Sequence, residues 1–95
     1  MGFTTISSTQ LAASGAVFGG SARVKSIYVA HSATAGTVIL RDGGSTGTVR
    51  CTINTAAAVG EYNTVIPEPG IRCVHASGPY IAITGGVSFV TVFYD

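Results

Sequence analysis

Ser88-Phe89-Val90-Thr91-Val92-Phe93-Tyr94 is the stretch that decides the fold class. In an extended chain successive side chains point to opposite faces, so Phe89, Thr91 and Phe93 fall on one side and Val90, Val92 and Tyr94 on the other. Both sides are largely apolar. Such a strand is either central and covered on both faces, or it lies at a subunit contact. Working outward, the same alternation marks 23–30, where Ile27 and Val29 share a face with Lys25 while Val24, Tyr28 and Ala30 share the other. Lys25 is expected near the end of the sheet, where its ammonium reaches water.

Glycine-containing turns divide the remainder at short intervals, and the segments between them are rich in β-branched and aromatic residues. The predicted strands are 3–7, 16–18, 23–30, 37–41, 48–54, 63–66, 71–75, 80–84 and 88–94. Three turns have clear chemistry. Asp42-Gly43-Gly44 with Ser45-Thr46-Gly47 supplies the positive φ values of a hairpin tip between Leu40 and Val49. Pro67-Glu68-Pro69-Gly70 sets a reversal, and Thr84-Gly85-Gly86 is expected to join the last two strands. In 55–60 three alanines allow at most one turn of helix, with no cap to extend it. The expected architecture is all-β: a single domain over 1–95, a β-sandwich of about eight short antiparallel strands, jelly-roll-like.

Charged residues form 9% of the chain and the net charge is +1, against roughly 25% charged residues in an ordinary soluble domain. Solubility as a free monomer draws on surface charge, so an exterior of Ser, Thr, Gly and Ala suits a protein covered by its own copies or by another protein. Five scattered cations form no footprint for nucleic acid. No apolar run reaches the roughly 18–20 residues of a membrane helix, and 1–10 lacks the pattern of a cleaved signal, so synthesis in a cytoplasm is expected. Cys51 and Cys73 are expected as buried free thiols, a disulfide between neighbouring strands being the alternative.

Catalytic chemistry finds little to work with. The acids Asp42, Glu61 and Glu68 lie on or beside predicted turns and Asp95 follows the last strand, so solvated carboxylates are expected rather than an acid/base pair. His31, His75, Cys51 and Cys73 lack the close pairs of a structural zinc site. Cys73 and His75, two apart, would share a strand face, but nothing marks them as an activated dyad. Gly43-Gly44-Ser45-Thr46-Gly47 fits G-x-S-x-G in letters only, because it is read as a hairpin tip between two strands and not as a strand-to-helix elbow, and there is no phosphate-binding glycine loop. The chain is therefore expected to be non-enzymatic, with no catalytic residue, cofactor, metal or small-molecule substrate.

Arg23-Val24-Lys25-Ser26-Ile27-Tyr28-Val29, Ala35-Gly36-Thr37-Val38, Leu40-Arg41-Asp42-Gly43-Gly44, Ile66-Pro67 with Gly70-Ile71-Arg72, and Val90-Thr91-Val92-Phe93-Tyr94 follow one another in an order spanning most of the chain. That order resembles small virion structural proteins of tailed bacteriophages. It departs from their pattern at Arg72-Cys73-Val74, where an aromatic is expected. The resemblance implies a capsid decoration or cement protein, made in the host cytoplasm and carried in the virion. It would bind the major capsid protein as a homo-oligomer, a trimer or another ring. Arg23, Tyr28, Tyr80 and Tyr94 are the candidate interface anchors, since these residue types are enriched where contacts carry energy. Two alternatives stand beside it: a tail or head-tail connector subunit, ring-forming or fibre-associated, and a carbohydrate-binding β-sandwich using tyrosines as stacking platforms.

Overall fold

The computed structural model describes residues 6–95, and within them the chain is all-β, with seven strands in one antiparallel sheet and no helix. The strands are β1 (Ser7–Leu11), β2 (Gly15–Ala16), β3 (Ala22–Asp42), β4 (Thr48–Thr55), β5 (Gly60–Val65), β6 (Ile71–Cys73) and β7 (Pro79–Tyr94). A ribbon of β3 and β7 forms the spine, paired from Val24↔Tyr94 to Asp42↔Pro79. On the β7 side, β1 joins along 90–94 and β2 along 80–81. On the β3 side, β4 pairs with 36–42, β5 with 26–31 and β6 with 22–24. Among the described residues the sheet does not close: its free edges are β1 and β2 on one side, and β4, β5 and β6 on the other.

Two expectations about strand boundaries are corrected. The segments 23–30 and 37–41 are one strand of 21 residues, and 80–84 and 88–94 are one strand of 16. Thr84-Gly85-Gly86 is no inter-strand turn. It lies inside β7, where Gly85 (φ +69°) pairs with Gly36 across a break in the β3–β7 register. The reason is the close approach there. A Cβ on Gly36 would run into the Thr84 carbonyl, and one on Gly85 into the Ala35 carbonyl, so only glycine lets the two backbones cross. The hairpin tip is as expected, with Gly43 at φ +112° and Gly44 at +87° leading into Asp42↔Thr48.

The ribbon also folds back. Straight, β3 would span about 65 Å at the usual rise per residue, yet the longest dimension is 44 Å. Its two ends meet. Asp42, at the end of β3, accepts hydrogen bonds from the backbone N–H groups of Val74 and His75, which follow β6, and β6 is paired with the start of β3. The bend falls at 31–36 of β3 and 85–88 of β7, where the register shifts. One core draws on both arms: Val24, Ile27, Val29, Val90 and Val92 from one, Val38, Leu40 and Ile81 from the other, each 0–1% exposed.

A bulge corrects the face of Val24. The pairing steps from Val24↔Tyr94 to Ser26↔Phe93, so Lys25 is an extra residue and Val24 falls on the same inner face as Ile27 and Val29. Lys25 itself reaches Glu68 at 2.7 Å. Arg50 is the extra residue of a second bulge, between Leu40↔Cys51 and Arg41↔Val49, and it reaches Asp42 at 3.1 Å. Of the predicted first strand 3–7, residues 3–5 lie outside the described residues. β1 begins at Ser7 and runs beyond the predicted end, and 56–59 is an irregular loop without a helical turn.

Candidate functional site

The outer face of the arm built from β1, β5, β6, residues 22–30 of β3 and residues 88–94 of β7 brings together three aromatic side chains, Tyr28, Phe89 and Phe93. With Val90 and Val92 inward, Phe89, Thr91 and Phe93 point outward, and register places Phe89 beside Ala30 and Glu61, Thr91 beside Tyr28 and Asn63, and Phe93 beside Ser26 and Val65. Tyr28 and Phe89 pack with ring centroids 6.1 Å apart. Phe89, Phe93 and Tyr28 are all half-buried, and Val65 is 72% exposed. Ser8 and Gln10 of β1 flank the face on one side, Asn63 and Glu61 of β5 on the other. The Glu61 carboxylate beside Tyr28, with some help from burial, raises that phenol above its ordinary pKa, so it remains a neutral hydroxyl at physiological pH.

The four candidate anchors do not form one surface. Tyr28 sits at the centre of this face. Arg23 lies at its end, where Nε and Nη2 hold the two carboxylate oxygens of Asp95 at 3.0 and 3.1 Å. Tyr80 is on the outer face of the other arm, paired with Ala16 and Arg41. Tyr94 points inward, packs against the core and meets Phe18 at 5.5 Å. Phe89, Phe93 and Val65 were not among the candidates. The alternation of 88–94 already put Phe89 and Phe93 together, whereas nothing local to Val65 shows that β5 lies beside β3.

Beyond Arg23 a cavity of about 420 Å³ is lined by Ser21, Arg23, Pro69, Arg72, Val74 and Asp95, among others. Arg23 and Arg72 stand directly opposite on β3 and β6. Such like-charge pairs are unfavourable, and the Asp95 carboxylate offsets this one.

The titratable groups elsewhere serve the fold. Asp42 is not the solvated turn acid expected: its side chain is 3% exposed. Burial would raise its pKa, but the N–H groups of His75 and Val74 and the Arg50 guanidinium outweigh that and hold it below the usual carboxylate value. Cys73 is fully buried and Cys51 half-buried, both as free thiols. Burial, reinforced by nearby Asp42, pushes the Cys73 thiol up to about 11, and burial also raises Cys51. Cys73 and His75 do not share a strand face, because β6 ends at Cys73 and His75 turns outward, its Nδ1 accepting from the Ser77 N–H. His31 is buried within β3, its ring 5.6 Å from that of Tyr62. Among the described residues no group of three or more His, Cys, Asp or Glu is placed to hold a metal, and no helix is long and apolar enough to cross a membrane. No protein-family model matches the chain, and no curated protein or solved structure matches it.

Proposed function

We propose that the protein is a non-enzymatic structural subunit of a bacteriophage virion, a capsid decoration or cement protein that binds the head shell as an oligomer. The observation that carries this reading is the outer face itself. Tyr28, Phe89, Phe93 and Val65 stand together, partly open to water, on a chain with only 9% charged residues. An aromatic centre ringed by Ser8, Gln10, Asn63 and Glu61 has the make-up of a protein–protein contact, apolar and aromatic within and polar at the rim. The order of strands and glycine turns noted in the sequence supplies the virion context.

In this reading the fold-back makes a sandwich of two layers, each four strands wide, which is the layering of a jelly roll. One layer would be β1, distal β7, proximal β3 and β5 with β6; the other β2, proximal β7, distal β3 and β4. The smallest dimension of 19 Å leaves room for two sheets packed at the usual ~10 Å. Mass spectrometry of purified particles tests the function. Hundreds of copies per particle are expected of a shell protein, about six or twelve would instead indicate a tail or connector ring, and absence from particles would overturn the virion reading.

A further inference from the structure

The free edges of the sheet are not equivalent. An exposed edge presents unpaired N–H and C=O groups, and proteins that remain apart blunt it with charges, prolines, bulges or very short strands. β2 is two residues long. β4 carries the Arg50 bulge, and the Tyr62 hydroxyl donates to its Asn54 carbonyl at 2.9 Å. β5 carries Glu61, and β6 is three residues long, carries Arg72 and follows Pro67 and Pro69. β1 has none of these devices. Its sequence Ser7-Ser8-Thr9-Gln10-Leu11 holds no charge and no proline, and its register with β7 is unbroken from Ser7↔Tyr94 to Leu11↔Val90. It is also firmly placed, because the Thr9 hydroxyl donates to the Val17 carbonyl at 2.9 Å and Leu11 packs on the core.

We propose that β1 is the edge by which two copies of this chain join, its free side pairing antiparallel with β1 of a second copy about a two-fold axis centred on Thr9. The inference rests on the proposed reading that the chain works as an assembled subunit. Charge selects a second copy as the occupant. Self-pairing at β1 brings no like charges together, whereas self-pairing at β4, β5 or β6 would bring Arg50, Glu61 or Arg72 near its own copy. Antiparallel pairing of identical strands is isologous and closes at two. With the axis normal to the sheet, both outer faces lie on the same side, so Phe93, Tyr28 and Phe89 of the two copies form one doubled surface for the shell. Ser8 lies opposite Gln10 of the second copy, and their short polar side chains hydrogen-bond across the seam.

The test compares wild type with Ser8→Lys/Gln10→Lys, both outward-facing on β1, by light scattering and amide hydrogen exchange, with circular dichroism to verify folding. The expected result is a wild-type mass at twice that of the variant, or an even multiple of the chain mass, with β1 amides protected in wild type only. Ser8→Cys/Gln10→Cys guards against a variant that fails to fold. Mild oxidation should link it into a covalent dimer on a non-reducing gel, since directly opposite positions in a pair meet the Cα separation a disulfide needs. A folded lysine variant that keeps the full wild-type mass, or a cysteine variant that never cross-links, overturns edge pairing and leaves assembly standing. A wild type that is monomeric at every concentration overturns both. Protection of β1 that arises only on adding capsid shells assigns the edge to the shell and overturns the second copy.

Discussion

Asp42 shows how one side chain ties the two ends of the long strand together. Its carboxylate accepts from Val74 N–H at 3.1 Å, His75 N–H at 3.0 Å and Arg50 Nη2 at 3.1 Å. Asp42→Ala would take the acceptor from the Val74 and His75 N–H groups and the partner from Arg50, and a loss of about 2 kcal/mol is expected by urea unfolding. The pH dependence has a definite sign. Because the folded-state pKa lies below the unfolded one, this stabilisation is present above the ordinary carboxylate value near 3.9 and is lost as pH falls through the folded value. Wild type should therefore lose stability in acid more steeply than Asp42→Asn, and equal acid limbs would contradict the assignment. Cys73 runs the other way. With its thiol raised to about 11, the contribution is complete below the unfolded value and fades as pH rises towards the folded one. At pH 8 a thiol reagent should modify Cys73 more slowly than Cys51 in the native protein and find two thiols per chain in denaturant.

At the level of the elements, the bend in the β3–β7 ribbon is the decisive feature, and it depends on glycine at Gly36 and Gly85. Gly85→Val should cost at least about 2 kcal/mol, from a β-branched residue at positive φ and a clash with the Ala35 carbonyl. Gly19→Val, in a position where a Cβ meets nothing, is the control and should be nearly neutral in thermal melting. The same place marks how far local signals reach. Gly85-Gly86 reads as a turn because a glycine pair is the strongest local mark of one. Whether positive φ reverses a chain or bulges a strand is settled by what lies opposite, here Gly36, 49 residues away by the difference of the two numbers. Faces were legible where pairing is regular: Val90, Val92 and Tyr94 share one side as the alternation required, and the fold turns that side inward. Val24 was misplaced because an extra residue at Lys25 shifts the phase, and nothing in Arg23-Val24-Lys25-Ser26 announces a bulge.

At the scale of the whole molecule, the all-β class and the shortage of charge were legible from composition and turn spacing, and the aromatic face was legible in part. Tyr28 and Arg23 fall on it, while Tyr94 caps the core and Tyr80 faces out from the other arm. Separating them requires knowing which strands share a layer, information held in long-range pairing. If the face is the contact, Phe89→Ser should cost no more than a few degrees of melting temperature but weaken binding to the shell about 30-fold, as loss of a 2 kcal/mol hot spot would. Tyr80→Ser should leave that binding unchanged. Sedimentation equilibrium of the purified chain, from micromolar to millimolar concentration, tests the central claim most directly. The expected result is a mass of two or more copies of the 9.6 kDa chain, and a particle of 9.6 kDa at every concentration would contradict it.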